Sequence, residues 1–163
     1  MVNDIKCQMF VEGDPKVLKK FFRAVENKDT GRIFDFEKII PYSEDIYLGP
    51  LTAEALKQYG NRNWYDFNKE HWGTYYNAYE TERTGNMIEF LVGWKIPARL
   101  IMEMAIKYPQ IKFHIKYASR ENGGPCGEWI VCFGEGNEID SRNILKPGTD
   151  AYNEMREDMF RWD

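Results

Sequence analysis

The segment from residue 87 to residue 119 constrains the fold more than any other part of the chain. An apolar strand pattern, MIEFLVGW, is followed by the helical pattern KIPARLIMEMAIKYP and by a second strand pattern, KFHIKYAS. Pro97 and Pro109 mark the two ends of the helix. Its apolar face is formed by residues three and four apart: Leu100, Ile101, Met104, Ala105 and Tyr108. The segment therefore predicts a sheet with a helix packed on one face.

Patterns on both sides of this segment predict further elements. Alternation of polar and apolar residues predicts strands over four ranges: 4–12, 32–41, 74–82 and 128–136. Apolar residues at helical spacing predict helices within four ranges: 13–31, 51–60, 62–73 and 150–163. Residues 140–148 are predicted to form a loop, so 128–136 is expected to be the last strand.

Together these elements predict an α+β fold in one domain of 163 residues. The predicted order is strand, helix and strand, then an insertion at about 42–86 with short helices and a hairpin, then helix, strand and strand. A C-terminal helix is expected at about 150–162. Two main helices on one face of an antiparallel sheet are typical of the ferredoxin-like arrangement.

Charge and cysteine usage restrict the classes of function. The net charge of -4 argues against general nucleic-acid binding, because attraction to phosphates is the main source of non-specific affinity. Cys7, Cys126 and Cys132 are odd in number and lack paired spacing, which predicts reduced thiols and no disulfide framework. The first residues contain no long apolar run, so we expect no signal peptide, no membrane span and a cytoplasmic location.

The stretch EHWGTYYNAYE at 70–80 is unusually rich in rings and is the first candidate binding site. In one interpretation, Trp72 with Tyr75 or Tyr76 stacks on a base or nucleotide, and His71 lies beside them. In the other, Trp72 packs at the end of a helix and the tyrosines alternate between core and solvent. Packing is the favoured interpretation, because aromatic side chains are more often part of a core than of a binding surface.

A basic face on the first helix is the second candidate. Spacings of three, four and seven residues place four cations on one side: Lys16, Lys19, Lys20 and Arg23. Such a face contacts nucleic-acid phosphates or an acidic protein, or it is simply solvated, which is the commoner case. The chain lacks the basic-Gly-aromatic signature of the RNA-recognition motif.

The C-terminal helix carries large side chains along one side: Tyr152, Met155, Met159 and Trp162. We expect this side to dock on the sheet of the same chain. If it does not dock there, the side chains are of the types favoured at an interface with a partner or a second copy.

Catalytic and metal-binding patterns are weak. A nucleophilic pair would have to join Cys126 or Cys132 to His71, and no local motif supports such a pair. Asp35 and Glu37 share one side of a predicted strand, where they would hold a hard cation or remain two exposed carboxylates, as is more common. We therefore predict no enzyme activity, no cofactor and no metal.

Four blocks of sequence, in chain order, resemble one protein family. They are FDFEKIIP at 34–41, NWYDFNKEHWGTYYNAYE at 63–80, MIEFLVGWKIPARLIMEMAIKYPQIKFHIKY at 87–117 and GPCGEW at 124–129. Together they resemble the YubB ferredoxin-like domain proteins of bacterial plasmids, phages and genomic islands. The resemblance implies a ferredoxin-like fold and a mobile-element origin, but no activity. Tyr75 and Tyr76 stand where members of that family tend to carry Lys and Trp.

Two main functional expectations follow. The first is a non-enzymatic accessory protein of a phage or mobile element that binds a host protein. An anti-defence role belongs to this expectation. The alternative is a nucleic-acid or nucleotide binding module that uses the basic helix and the aromatic cluster around Trp72. A small-molecule enzyme centred on Cys126 or His71 is a third hypothesis. The negative net charge favours a protein partner over nucleic acid.

Overall fold

The computed structural model describes residues 3–136 and 138–163, and these residues form six strands and five helices. The elements in chain order are β1 (Asp4–Glu12), α1 (Pro15–Val25), α2 (Ala53–Tyr59), α3 (Trp64–Phe67), β2 (Tyr79–Thr84), β3 (Met87–Gly93), α4 (Ala98–Lys107), β4 (Lys112–Ser119), β5 (Cys126–Cys132), β6 (Ile139–Ile144) and α5 (Asp150–Phe160). Short turns of 3-10 helix at Phe36–Lys38 and of π-helix at Asn68–Trp72 complete the set. Within the described ranges, no helix has the length and apolar character needed to cross a membrane.

All six strands belong to one antiparallel sheet in the order β2-β3-β1-β4-β5-β6. β1 lies inside the sheet, with Cys7 opposite Phe90 of β3 and opposite Tyr117 of β4. β5 and β6 extend the sheet beyond β4, where Trp129 faces Arg142. The predicted α+β fold with an antiparallel sheet is confirmed.

α1 and α4 cover one face of the sheet, which we call the first face. The buried residues of α1 are Leu18, Phe21, Phe22 and Val25, and those of α4 are Leu100, Ile101, Met104 and Ala105. The ring of Phe21 lies edge-on to that of Phe113 in β4, with centroids 5.4 Å apart. Asp14 caps α1 by accepting a hydrogen bond from the backbone N–H of Lys16 at 2.9 Å. The apolar face predicted for 97–109 is thus the face that α4 buries.

α5 packs on the opposite face, the second face of the sheet. Tyr152 and Met159 are buried there in a small cluster with Ala118 and Cys126. The C-terminal helix therefore docks on its own sheet, as the simpler interpretation predicted. Trp162 is 91% exposed, because it lies beyond the last residue of α5 and does not continue the buried side of the helix.

The predicted strand at 32–41 is wrong. Phe34 and Phe36 are both buried, as alternation suggested, but the chain turns into a 3-10 helix that begins at Phe36. The reason is Asp35, whose carboxylate accepts a hydrogen bond from the backbone N–H of Glu37 at 2.9 Å and caps the turn. A side chain that caps a local turn in this way competes with strand pairing, so the segment does not join the sheet.

The predicted loop at 140–148 is also wrong, because its first half belongs to β6. All six residues of Ile139–Ile144 are exposed. Because no side of the segment is buried, its sequence lacks the alternation of apolar and polar residues that would indicate a strand. It is a strand because its backbone pairs with β5 from Cys132 to Gly127. β5 is therefore not the last strand.

The hairpin of β2 and β3 is part of the main sheet, and β3 is the neighbour of β1. It was expected within an insertion at about 42–86, but the segment outside the sheet ends before Tyr79. The strand predicted at 74–82 begins only at Tyr79, and Tyr75 and Tyr76 instead line the surface groove described below.

Candidate binding surface

The aromatic stretch at 70–80 divides between core and surface. Trp72 is fully buried, its indole N–H donates to the Ile40 carbonyl at 3.0 Å, and its ring lies edge-on to that of Phe36 at 5.5 Å. A ligand cannot reach this ring. The interpretation of Trp72 as a stacking contact is therefore wrong, and the packing interpretation holds for this residue.

Gly73 lies between the buried Trp72 and the more exposed rings of Tyr75 and Tyr76. Its φ of +81° lies in the left-handed region and ends the π-helical turn. A Cβ at this position would lie 3.0 Å from the backbone nitrogen of Arg99, so glycine also permits close contact with the start of α4. His71, two residues before Gly73, is exposed, and its ring centroid lies 4.3 Å from that of Phe67. It does not line either of the grooves described below.

The half-buried Tyr75 and the exposed Tyr76 meet other rings in a surface groove of about 380 Å³, which we call the aromatic groove. It is lined by Tyr65, Tyr75, Tyr76, Trp94 and Lys95. The rings of Tyr65 and Tyr75 stack, with centroids 5.4 Å apart and planes inclined by 11°. Trp94 and Tyr76 are 45% and 41% exposed, so two large rings remain available to a ligand.

Two lysines lie at the margin of the aromatic groove. Lys69 lies 4.6 Å from the ring centroid of Tyr65 and forms an ion pair with Asp66 at 3.1 Å, and the hydrogen bond to Asp66 raises the pKa of Lys69. Lys95 lies 5.7 Å from the ring centroid of Tyr75. In the described ranges no carboxylate lies within 4 Å of Lys95, so its charge is available to a ligand.

Two buried polar side chains fix the backbone of the aromatic groove. The amide of Asn68 donates to the Tyr75 carbonyl at 2.7 Å. The hydroxyl of Thr74 lies 2.7 Å from the Lys95 carbonyl oxygen and 3.2 Å from that of Gly93. Since a hydroxyl carries one proton, it donates to the nearer oxygen and remains close to the other. These contacts join two segments that are about 20 residues apart in the chain.

Trp94 has a left-handed backbone with φ of 70°. This conformation is uncommon for a bulky residue and persists only where the surrounding structure holds it. Here the N–H of Trp94 donates to the Asn3 carbonyl at 2.9 Å, and Thr74 contacts the carbonyls on both sides of Trp94. Strained residues of this kind are concentrated at binding sites.

Tyr65, Trp94 and Lys95 were not predicted as site residues. One signal was present, because Trp94 follows directly on the apolar strand pattern of β3, beyond the point where the sheet buries its side chains. The stacking of Tyr65 on Tyr75 had no such signal. It depends on the turn at Gly73, which brings residues ten apart face to face.

The predicted basic face of α1 lies on the surface, and Lys16, Lys19, Lys20 and Arg23 are all exposed. Part of it borders a second groove of about 370 Å³, which we call the basic groove. Lys19, Phe22 and Arg23 line it from α1, and Arg83 lines it from β2. The structure therefore places a further arginine, which the sequence did not associate with α1, beside the basic face.

The cysteine and histidine candidates for catalysis are separated by the sheet. Cys126 and Cys132 are buried on the second face, whereas His71 lies beside Phe67, which belongs to the core of the first face. Burial raises the pKa of Cys126 to about 11, against the opposing effect of Arg156. A nucleophilic pair between either cysteine and His71 is therefore ruled out by geometry.

Asp35 and Glu37 do not form a cation site. Asp35 is fully buried, and its carboxylate accepts hydrogen bonds from the amides of Asn27 and Asn77, each at 2.8 Å. Burial raises its pKa, but the hydrogen bonds outweigh burial and leave the pKa below the ordinary value. Glu37 is exposed, and no group of three metal-binding side chains occurs in the described part of the chain.

No known protein family, curated protein or solved structure matches the chain. The candidate sites are therefore identified from the chain's own residues, and they are the aromatic groove and the basic groove.

Proposed function

We propose that the protein acts by binding a partner protein through the aromatic groove. The observation that carries this proposal is the exposure of Trp94 and Tyr76 beside the stacked pair of Tyr65 and Tyr75. Tyrosine and tryptophan dominate the energetics of protein interfaces, because they bury a large apolar area with few rotatable bonds. Four such rings in one groove provide a binding centre of the size of one or two partner side chains.

The fixed backbone of the groove supports the same proposal. The left-handed conformation of Trp94 costs about 1–3 kcal/mol, which the rest of the fold must offset. Asn68 and Thr74 hold the segments that carry the rings. Rings that are held before binding lose little conformational entropy when a partner docks, so more of the contact energy contributes to affinity.

The charges beside the groove indicate the chemistry of the partner segment. Lys69 is paired with Asp66, but Lys95 has no carboxylate neighbour in the part of the chain that the structure describes. A segment with an apolar or aromatic side chain next to an acidic group complements this arrangement. We also propose that the partner is a host protein and that the protein serves a phage or mobile element by acting against host defence. This part of the proposal rests only on the resemblance to the YubB family.

We further propose that the first four strands form a ferredoxin-like unit. The strand order β2-β3-β1-β4 supports this assignment, since α1 lies between β1 and β2 in the chain and α4 connects β3 to β4. Both helices pack on the first face. β5, β6 and α5 are then additions at the β4 edge of the unit.

Tagged protein incubated with bacterial lysate at moderate salt tests the function. We expect the wild-type protein to retain one host protein in stoichiometric amount, and Trp94→Ala combined with Tyr76→Ala to lose at least about 90% of it, as expected for interface hot spots. Quantitative mass spectrometry of the retained proteins measures the difference.

Trp162→Ala is the matched control, because it removes another exposed tryptophan that lies on the second face beyond α5. This variant should retain the partner as the wild type does. Equal retention by the groove variant and the wild type would disprove binding through the groove, and a wild-type protein that retains nothing would count against the function itself.

A further inference from the structure

The basic groove carries positive charge from two elements that are far apart in the chain. Lys16, Lys19, Lys20 and Arg23 lie on one side of α1 and, at 1.5 Å per residue, extend over about 10 Å of helix. Arg83 approaches the same helix from β2. Phosphates bound here would be contacted from both sides of the groove.

Arg83 is held in place at the floor of the groove. Its guanidinium carbon lies 3.4 Å from the centre of the Phe22 ring, and its Nε donates to the Gly85 carbonyl at 2.8 Å. In the described ranges its two terminal nitrogens have no hydrogen-bond partner, so their N–H groups remain available. A planar guanidinium with free N–H groups is the preferred protein contact for a phosphate.

The protein does not neutralise these cations itself. Among the residues that the structure describes, no carboxylate lies within 4 Å of the five cationic groups. The adjacent Asp14 caps α1, and Glu26 is the acidic residue at the margin of the groove. On the second face, by contrast, Lys6 and Arg120 both pair with Asp163. The basic groove is therefore a local positive site on a chain of net charge -4.

We infer that the basic groove binds the phosphate backbone of single-stranded nucleic acid, as a second site beyond the proposed protein-binding function. The Phe22 ring is covered by Arg83, so a base cannot stack on that side of it, and recognition is electrostatic and independent of base sequence. A flexible single strand can follow this one site. A duplex carries about one charge per 1.7 Å of its axis, so more of its negative charge would lie near the acidic remainder of the protein surface. We therefore expect a duplex to bind less tightly than a single strand.

Fluorescence anisotropy with a labelled oligodeoxythymidine of about 20 nucleotides, from about 20 to 200 mM salt, tests the inference. Contacts from four or five cations predict a slope of log K against log salt of about -3 for a single strand. Lys19→Glu combined with Arg23→Glu should weaken binding at low salt by at least about tenfold and reduce the slope by about 1.4. Arg83→Leu, which leaves α1 unchanged, should weaken binding by about threefold or more.

Lys57→Glu combined with Lys146→Glu is the matched control, because both lysines are exposed outside the groove and the change in net charge is identical. It should change the affinity by less than about threefold. An equal loss in both double variants, or no binding at the lowest salt, would overturn the site. Tighter binding of a duplex of the same length, or equally effective competition by polyglutamate, would overturn the assignment to single-stranded nucleic acid.

The aromatic-groove variant, Trp94→Ala combined with Tyr76→Ala, separates this inference from the proposed function. It should bind the oligonucleotide with wild-type affinity while it fails to retain the partner protein. Loss of oligonucleotide binding in this variant would overturn the independence of the two sites. Far-UV circular dichroism of every variant verifies that the fold is retained.

Discussion

The two faces of the sheet are covered to different degrees. On the first face, Phe36, Trp72, Phe90 and Phe113 belong to one continuous apolar core beneath α1, α4 and the short helices. On the second face, α5 buries only a small cluster around Tyr152 and Met159. Beyond this cluster, the second face carries several half-buried polar or charged side chains: Gln8, Lys116, His114 and Glu128.

This difference shows where the stability of the fold resides. Burial of apolar area is the dominant favourable contribution to folding, so the first face should supply most of it. α5 is held in larger part by directed contacts, such as the hydroxyl of Tyr152, which accepts from Gly123 N–H and donates to the Gly124 carbonyl, both at 2.9 Å. Both binding grooves involve elements of the first face and depend on its core.

Trp72→Ala should have the largest effect, because it removes one of the two fully buried tryptophans of the first-face core. It leaves a cavity beside Phe36 and an unpaired carbonyl at Ile40. We expect the free energy of unfolding to fall by about 3–5 kcal/mol, measured by urea denaturation. Trp162→Ala, at a position 91% exposed, should change it by less than about 0.5 kcal/mol. A loss below about 1 kcal/mol for Trp72→Ala would contradict the claim that the first face supplies most of the stability.

Asp35→Asn should have the next largest effect. The new amide presents a donor where the side chains of Asn27 and Asn77 already donate, so one buried group loses its partner. We expect a loss of about 2–3 kcal/mol at neutral pH, because the missing contacts are buried and charge-assisted.

The pH dependence of stability separates the effect of the negative charge of Asp35 from the effect of its hydrogen-bond geometry. The folded-state pKa of Asp35 is lowered below the value of about 3.9 in an unfolded chain. The contribution of Asp35 to the free energy of unfolding is therefore complete above the unfolded-state pKa, and it is lost as the pH falls through the folded-state pKa. Urea denaturation between about pH 6 and pH 3 should show a smaller acid-dependent loss in Asp35→Asn than in the wild type. The same loss in both proteins would show that another carboxylate is responsible.

The sequence predicted the elements whose burial follows a regular local pattern. α4 and β4 were predicted closely, because each has one apolar face and a clear boundary in Pro97, Pro109 or Ser119. β6 was missed because an edge strand with no buried residue carries no alternation. The 32–41 segment was misassigned because alternation of Phe34 and Phe36 describes their burial but not the capping by Asp35.

The candidate surfaces were only partly predictable for a similar reason. Tyr75 and Tyr76 were identified because they are close together in the sequence, and Trp72 was grouped with them on the same basis. Their separation depends on the left-handed turn at Gly73. Trp94 lies beside the two tyrosines because Thr74 contacts the carbonyls of Gly93 and Lys95, about 20 residues further along the chain. A local sequence pattern does not reveal a contact between residues so far apart.

Tyr152→Phe should have the smallest effect and tests how independent α5 is. The ring stays packed against Ala118 and Cys126, while the hydroxyl contacts with Gly123 and Gly124 are lost. We expect a loss of about 1 kcal/mol, and a rise of about fivefold in amide hydrogen exchange that is confined to α5 and the 120–125 turn. Tyr108→Phe on the first face is the matched control, because the Tyr108 hydroxyl has no hydrogen bond in the described structure, and it should leave exchange unchanged. If exchange in β1 rose as much as exchange in α5, the two faces would unfold as one unit and the small cluster under α5 would be as essential as the larger core.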